Sequence, residues 1–402
     1  MKKIIILLLI ISTFSMIIFS EALRSFESSL NPALLESTGN RSFFELVVSP
    51  DLLIYQNAYS TSDMFSWLTA TKITFDFNEL YTSLNGADLT FYTKDNIDGH
   101  FVANIFGFGL GAVVNVDLKS DLIFPNDLVK LIAEGNEIYQ TDEGSIAFDL
   151  DSSIKAGLYG SYNFDSFSVG LTYNFFMPIL YSKDTNIEYK FSTEDGILTA
   201  ELNAKLELYS SFNDEELESL SFNSFTDKLF SNGGQAIDIG VTFGEPKDPT
   251  FGVAVKNIGI KPANVTNEIT YNETITLFGD DSEESSPTTE SQSVSQEYSY
   301  PLGVTGFVRI PVLVLDVIPY GEYYFEGQTF NWGLKAKTSL LNLLSLSLGI
   351  ENYYDFWNLS LGFGINSRIF ESRSEFSFTD KELTQIFDMR SLSFKTSIAL
   401  GF

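Results

Sequence analysis

Residues 390–402 read RSLSFKTSIALGF, and in this stretch large apolar side chains recur at every second position. One face of an extended chain would carry Leu392, Phe394, Thr396, Ile398, Leu400 and Phe402. The other face would carry only Ser, Lys, Ala and Gly. This period-2 alternation predicts a β-strand with one apolar face and one polar or small face. The fold then depends on what the apolar face contacts.

The same alternation recurs at 153–164, 166–175, 236–243 and 357–366. Runs of about 9–11 residues cross a bilayer as tilted barrel strands. The polar faces hold Ser, Gly, Asn, Thr and Lys with few carboxylates, whereas the solvent face of a soluble sandwich is usually richer in charge. The pattern therefore predicts an all-β fold, a transmembrane antiparallel β-barrel of about 14 strands with a weakly charged polar lumen.

Composition restricts the function further. The chain has 402 residues, a formal net charge of −29 and no Cys. The lack of Cys removes disulfides and thiolate metal ligands. Nucleic acid is disfavoured as a partner because its phosphates need Lys and Arg. We interpret the negative charge as that of solvated loops, which favour solubility.

The N-terminal segment predicts export. Residues 1–22, MKKIIILLLIISTFSMIIFSEA, have a basic start, an apolar run, and small residues at Ser20 and Ala22 before a cleavage site. We expect a cleaved signal peptide at 1–22 and a mature barrel at 23–402, located in the bacterial outer membrane. A single membrane-anchor helix is the alternative, because the apolar run is long for a signal.

Two stretches in the N-terminal part have helical rather than strand spacing. They are residues 62–85, which include FNELYTSLNG, and 124–136, FPNDLVKLIAEGN. The second has Pro125 near its start and Gly135 near its end, as helices often do. Short helices in a barrel can plug the lumen, cap one mouth, or lie on the rim. The spacing leaves these alternatives open.

An acidic, Ser/Thr-rich segment, GDDSEESSPTTESQSVSQE, spans 279–297. Its composition cannot form an apolar core. We expect a long extracellular loop within the barrel, because barrels place their long loops outside. Carboxylates could hold Ca²⁺ there, although the EF-hand spacing is missing. They are Asp280, Asp281, Glu283 and Glu284.

The sequence gives no pattern for catalysis. His100, in DGHFV, is the one histidine, and a nucleophile elbow of the GxSxG type is missing. We expect His100 on the surface or in the lumen. GFGLG, 107–111, reads as an apolar hairpin turn because no Lys follows it to bind phosphate. We predict a protein that is not an enzyme, with no catalytic residues, metal site or cofactor.

Three short motifs carry a family resemblance. SSLNPALL, 28–35, lies just after the expected cleavage site, and GGQAIDIGVTFG, 233–244, is followed by FGVAVKNIG, 251–259. These motifs resemble the outer-membrane barrels of the FadL hydrophobe-transporter group and its PorV-like and TraF-like relatives. We take the resemblance to span the mature chain and to indicate an uncharacterised branch of this group.

The resemblance implies roles for individual residues. Asn31, Pro32 and Ala33 would form an N-terminal segment tucked into the lumen. Asp238, Asn257 and Gly259 would belong to two adjacent strands of the family motif, with Asp238 and Asn257 as polar residues of the lumen or a turn. A final strand carrying Leu400 and Phe402 resembles the signal read by the barrel assembly machinery. That machinery and outer-membrane lipid would then be the chain's general partners.

The resemblance also implies functions. The first is a barrel that passes or holds small hydrophobic molecules. The second is a non-transporting scaffold that binds an envelope protein, as PorV-like barrels imply. A general porin with an open, water-filled lumen is the third.

Overall fold

A computed structural model describes residues 31–34, 44–60, 76–135, 141–183, 185–194, 197–219, 221–245, 248–278, 288–340, 343–353, 356–367, 369–388 and 390–401. The expected signal peptide and Phe402 lie outside these residues. The strands are β1 Phe44–Gln56, β2 Leu89–Ile105, β3 Phe108–Phe124, β4 Thr141–Asn163, β5 Phe167–Ser182, β6 Thr185–Glu194, β7 Ile197–Ser210, β8 Gly234–Glu245, β9 Asp248–Lys261, β10 Ala263–Phe278, β11 Thr288–Tyr298, β12 Gly303–Val308, β13 Ile310–Val312, β14 Leu315–Tyr324, β15 Thr329–Leu340, β16 Leu344–Tyr353, β17 Phe356–Asn366, β18 Phe370–Asp380 and β19 Ser391–Gly401.

Four short α-helices lie between strands. They are α1 Phe77–Leu84, α2 Asn126–Glu134, α3 Asp214–Glu218 and α4 Phe222–Ser231. Two 3-10 turns, Glu326–Gln328 and Leu383–Asp388, complete the described helical segments. Among the residues that the structure describes, no helix has the length and apolarity needed to cross a membrane.

The sheet closes on itself. β1 is antiparallel to β2 on one side and to the last strand, β19, on the other. At the seam Glu45 pairs with Gly401, and Leu46 pairs with Leu400. Closure supplies backbone partners for both outermost strands, which lipid could not do. The strand predicted from RSLSFKTSIALGF is therefore the one that closes the barrel.

The barrel has 16 continuous strands rather than about 14. β9 and β10 are interrupted only by Pro262, and β11, β12 and β13 follow one another along one line. The two strands beyond the expected number form the β6–β7 hairpin. This hairpin pairs with the first part of β4, Thr141–Phe148, while the second part pairs with β5. Its alternation is regular, but the polar face carries charges such as Glu188, Lys190 and Glu201, unlike the weakly charged faces from which the strand number was estimated.

The two ends of the barrel differ. At one end, which we call the short-turn end, six connections have only two or three residues. The opposite, long-loop end carries all four described α-helices. In outer-membrane barrels short turns are periplasmic and long loops are extracellular. The turn expected at 107–111 is shorter, with Phe106 and Gly107 at positive φ and β3 starting at Phe108.

The two helices predicted in part from the sequence pack against each other at the long-loop end. Leu80 and Leu84 of α1 share a buried cluster with Val129 of α2. These two helices therefore cap the rim near β1–β4, and none of their residues lines the luminal cavity. Residues 61–75, the first part of one predicted helix, lie outside the described residues.

Four strands and part of a fifth extend the wall at the long-loop end. This distal sheet consists of Thr141–Phe148 of β4 together with β6, β7, β10 and β11. The second half of the acidic segment, expected to be a loop, is strand β11. Hydrogen bonding to β10 overrides the low apolar content of this segment. Residues 279–287 lie outside the described residues.

The two faces of the wall follow the predicted alternation. Outward residues such as Leu46, Leu348 and Leu361 are 46%, 54% and 62% exposed, which is expected of side chains that meet lipid. Leu400 is also half exposed and lies on this outer face. The intervening side chains point into the lumen.

Candidate functional site

The barrel encloses a cavity of about 1300 Å³ with a strongly charged lining. Nine cationic side chains line it: Lys94, Lys119, Lys155, Lys256, Arg309, Lys335, Lys337, Arg373 and Lys395. Nine carboxylates line it too: Asp51, Asp98, Asp117, Asp151, Asp238, Asp316, Glu322, Glu351 and Glu375. The expectation of a weakly charged lumen is wrong. These charges are spread over many strands, so no single stretch of sequence shows how many of them meet.

Several luminal charges are paired. The Lys335 ammonium lies 2.6 Å from a Glu375 carboxylate oxygen, and Lys256 lies 3.6 Å from Glu322. An apolar molecule placed among such groups would desolvate them without giving hydrogen bonds in return. The centre of the lumen is therefore suited to water or polar groups and not to a bound hydrocarbon.

The N-terminal turn lies inside the barrel near the short-turn end. Asn31, Pro32 and Ala33 are buried. The Asn31 side-chain amide donates to the carbonyl oxygens of Val241 on β8 and Val253 on β9, each at 3.1 Å. Its oxygen accepts from the backbone N–H of Ala33 at 2.9 Å. One asparagine thus fixes the turn to two strands.

Three glycines provide the space for this turn. A Cβ on Gly240 would lie 2.0 Å from the Asn31 side-chain oxygen, and one on Gly170 would lie 2.3 Å from the Pro32 carbonyl carbon. A Cβ on Gly252 would lie 3.0 Å from the Asn31 amide nitrogen. These glycines lie on β5, β8 and β9, so the turn rests on a seat made by three adjacent strands.

Closer to the long-loop end of β8 and β9, Asp238 and Asn257 are hydrogen-bonded to each other where the pairing of the two strands is irregular. One carboxylate oxygen of Asp238 accepts from the backbone N–H of Asn257 at 2.7 Å, and the other accepts from the Asn174 side chain at 2.8 Å. Asn257 has φ 59°, in the left-handed region that Asn tolerates better than most residues. The β8–β9 register shifts at this point, between Ile237 and Ile239.

Between Asn257 and the long-loop end, the hydrogen bonding of the wall is interrupted. The β9–β12 ladder stops at Lys256, and the β10–β11 ladder starts at Ala263. Residues 257–262 and 299–302 lie between these two ladders, and no ladder among the described strands joins them. We call this interruption the wall gap.

Local residues explain why the wall gap persists. Pro262 and Pro301, one on each side, lack the backbone N–H that a ladder requires. The Asn257 side chain crosses the gap and donates to the Pro301 carbonyl at 3.0 Å. A Cβ on Gly259 would meet no atom within 4 Å, so the gap contains open space.

A second cavity of about 220 Å³ lies at the wall gap. Its lining is Phe176, Ala236, Asn257, Gly259, Ile260, Lys261, Pro262, Ser299 and Tyr300. Asn257 and Tyr300 also line the luminal cavity, so the two cavities adjoin. A tilted strand advances about 2.5 Å per residue along the membrane normal. The gap begins about ten residues after the start of β9 and therefore lies near the long-loop edge of the apolar band, which is about 25 Å tall.

A ladder of aromatic rings leads from the distal sheet to this second cavity. Successive ring centroids are 5.4 Å apart for Tyr209 and Tyr181, 5.5 Å for Tyr181 and Tyr298, 5.8 Å for Tyr298 and Tyr300, and 4.9 Å for Tyr300 and Phe176. The Tyr300 hydroxyl hydrogen-bonds Ser153 at 2.7 Å on the luminal side. The polar end of that ring is thus satisfied within the wall.

The structure brings the family-motif residues to two places on β8 and β9. Asn257 and Gly259 lie at the wall gap, and Asp238 is hydrogen-bonded to the backbone N–H of Asn257. The Asn31 turn lies closer to the short-turn end of the same strands. Leu400 belongs to neither place, because it lies on the outer face at the short-turn end. His100 lines the luminal cavity within the middle of β2. Among the described residues, no group of three or more His, Asp or Glu could hold a metal ion.

Sequence reasoning missed the aromatic ladder and the glycine seat. The rings come from β5, β7, the last residue of β11 and the segment after it, so their proximity depends on strand order. Pro262 and Pro301 were the available signal, because proline within an alternating run indicates an interruption of the ladder.

Comparisons with known proteins agree with this architecture. A family model described as "Family of unknown function (DUF5723)" matches residues 32–300, more than half of the chain. No curated protein matches the sequence.

Solved structures with a similar fold are FadL-family outer-membrane channels. A protein described as "TodX deltaS2S3 mutant monoaromatic hydrocarbon channel" aligns with 95% of this chain and 96% of its own, with TM-score 0.51 and 9% identity. A Pseudomonas aeruginosa FadL homologue aligns over 96% of each chain, with TM-score 0.46 and 10% identity. The predicted resemblance to the FadL group is confirmed, and at these identities it shows the fold alone.

Proposed function

We propose that this member of DUF5723, the family of unknown function to which the chain belongs, passes small apolar molecules through the wall gap. The protein is an outer-membrane-type β-barrel. The observation that carries the proposal is the adjacency of the two cavities, which share Asn257 and Tyr300. A molecule at the inner side of Tyr300 would have a short lateral route to the apolar outer surface of the wall.

The aromatic ladder favours small ring compounds as cargo. Aromatic rings attract one another in offset or edge-to-face arrangements with centroids about 4.5–7 Å apart. The ladder presents such rings from Tyr209 down to Phe176 at spacings within this range. TodX, the solved barrel with a TM-score of 0.51, is itself described as a monoaromatic hydrocarbon channel.

The same geometry favours passage over storage. The luminal centre is lined by ion pairs, and the N-terminal turn occupies the lumen near the short-turn end. An apolar cargo would avoid both and leave sideways along the aromatic residues. This route refines the first function implied by the resemblance, in which the barrel passes or holds hydrophobic molecules.

A plug placed in the gap tests the proposal. A Cβ on Gly259 would point into open space, so we expect Gly259→Trp to block the gap and to leave the β8–β9 backbone in place. We expect cells that display the wild-type barrel to take up radiolabelled naphthalene faster than cells without it, and Gly259→Trp to abolish the increase. The matched control is Gly160→Trp, because a Cβ there meets only the Leu110 side chain at 3.6 Å.

The alternatives predict other results. A general porin would conduct ions in a planar bilayer and would admit small sugars equally well with Gly259→Trp. A scaffold barrel would show no uptake difference and would copurify with a stoichiometric protein after gentle detergent extraction. Uptake that is unchanged by Gly259→Trp would contradict the proposed route.

A further inference from the structure

Among the strands that the structure describes, β11 leaves one edge of the distal sheet without a partner. Residues Thr288–Tyr298 pair with β10, and no other ladder among the described strands includes β11. β12 continues β11 toward the short-turn end, and it is paired on both sides, with β9 and with β14. The difference arises because β14 ends at Tyr324, whereas β11 extends further from the membrane.

This edge is long, exposed and polar. All of the residues 288–293 are exposed. A strand edge carries unpaired N–H and C=O groups at alternate residues, which makes it a template for another strand. Natural proteins usually shorten, cover or charge such edges. Here the β11 edge is 11 residues long and carries no Lys, Arg or Pro.

The charge around the edge is entirely negative. The sequences of β10 and β11 contain four glutamates and no Lys or Arg. The register places Glu268, Glu290 and Glu297 on one face of the β10–β11 pair, because Glu290 is opposite Thr270 and Glu297 is opposite Asn264. Such a face attracts a basic segment and repels a second copy of this acidic chain.

We propose that the open edge of β11 binds an extended, net-basic segment of another protein by strand addition. Backbone hydrogen bonds to β11 would supply the affinity. Glu290 and Glu297 on β11, with Glu268 one strand behind them, would favour lysine or arginine on the same face of the incoming strand. The site stands apart from the wall gap and does not depend on the proposed passage of apolar molecules.

Three fluorescent ten-residue peptides test this proposal on the full chain in detergent. The first alternates Lys with Thr, the second alternates Lys with Pro, and the third alternates Glu with Thr. We expect binding of the Lys-Thr peptide alone by fluorescence anisotropy, with slowed amide exchange in 288–298. Equal binding of the Lys-Pro peptide would reduce the effect to charge attraction and overturn strand addition. The absence of binding would overturn it as well.

Charge variants test the predicted face. We expect the combined change Glu268→Gln, Glu290→Gln and Glu297→Gln to weaken Lys-Thr binding about tenfold, since all three carboxylates on that face are lost. The matched control changes Glu79, Glu134 and Glu188 to Gln, three exposed carboxylates elsewhere at the long-loop end. Equal weakening by both triplets would overturn the assignment to β11.

Proline variants test the edge itself. Of the adjacent residues Ser291 and Gln292, one turns its N–H toward β10 and the other toward the open edge. We expect one of Ser291→Pro and Gln292→Pro to abolish peptide binding while β10 keeps its amide protection. Binding unchanged in both variants, or dimerisation of the wild type through this edge without peptide, would refute the proposal.

Discussion

Two parts of the barrel wall, β15–β18 and β8–β12, arise from the same kind of alternating sequence and end in different structures. In β15–β18 every ladder runs without a register shift, and small residues fit across the inner face. In β8–β12 the register shifts, Asn257 adopts positive φ, and the wall gap follows. The difference shows that alternation makes a strand, while a few polar and proline residues decide whether the wall is continuous.

The largest loss of unfolding free energy should come from a side chain that fills the glycine seat of the N-terminal turn. Gly240→Ala places a Cβ only 2.0 Å from the side-chain oxygen of Asn31. Overpacking of this kind costs about 1–3 kcal/mol, and we expect about 3 because the backbone of β8 cannot retreat. Unfolding in detergent by urea would measure the loss, and proteolysis within residues 31–34 should accelerate.

Gly160→Ala is the control for that change. The nearest atom to a Cβ on Gly160 is in the Leu110 side chain, at an ordinary contact distance of 3.6 Å. Stability and proteolysis should stay at wild-type values. If Gly240→Ala also leaves the N-terminal turn protected, the seat does not hold the turn.

The next largest effect should follow loss of the Asp238 carboxylate. Asp238→Ala leaves the Asn257 N–H and the Asn174 amide without their acceptor, and each is buried. An unsatisfied buried donor costs about 1–3 kcal/mol, so we expect about 2 kcal/mol of lost unfolding free energy. Amide exchange of Asn257 should rise steeply in the same variant.

A luminal aspartate outside the irregular wall gives the contrast. Asp98 on β2 accepts one side-chain hydrogen bond, from Asn115 at 2.6 Å, and lines the luminal cavity. Asp98→Ala should cost less because Asp98 is less buried than Asp238 and only one donor, a side-chain amide, loses its acceptor. Equal losses for the two variants would mean that Asp238 has no special role in shaping β8 and β9.

Much of the fold could be predicted because each strand carries its own local signal. The alternation at 357–366 and 390–402 identifies strands and their lipid face without reference to any partner. The number of strands could not be predicted in this way. The β6–β7 hairpin alternates as the other strands do, but it stands beyond the apolar band, and its apolar face packs on Leu128 and Leu131 of α2. Local alternation does not show whether a strand crosses the band or extends the wall above it.

The candidate site was only partly predictable, for a related reason. Asp238, Asn257 and Gly259 were singled out by their short motif, but the motif carries no information on what lies opposite. Tyr300 and Phe176 are separated by more than a hundred residues in sequence and come together only through the order of strands around the barrel. Luminal charge was underestimated for the same reason.

A smaller effect should separate backbone strain from hydrogen bonding at Asn257. Asn257→Ala loses the hydrogen bond to Pro301, and it also puts an alanine in the left-handed conformation at φ 59°, which its Cβ disfavours. Asn257→Gly loses the same bond without the steric cost, which is about 1–2 kcal/mol for a left-handed residue. We therefore expect the alanine variant to be less stable by about 1 kcal/mol. Equal stabilities in urea unfolding would show that the left-handed conformation is not maintained.

The smallest effect should come from the helices above the irregular wall, where Leu229 of α4 packs near Phe176. Partial burial acts to raise the pKa of Glu216 in α3, but the backbone N–H of Asn213 and the Lys228 ammonium outweigh it and hold that pKa below its ordinary value. A carboxylate with a lowered pKa stabilises the folded state above its unfolded pKa, and the stabilisation is lost as the pH falls through the lowered value. Glu216→Gln should therefore speed amide exchange in α3 and α4 at pH 7, by an amount equivalent to about 0.2–1 kcal/mol, and should have no effect in acid. Glu215→Gln, an exposed neighbour on the same helix, should have a smaller effect at pH 7, because it loses only its interaction with the helix N-terminus. An effect of Glu216→Gln that persists in acid would assign the stabilisation to side-chain packing instead of charge.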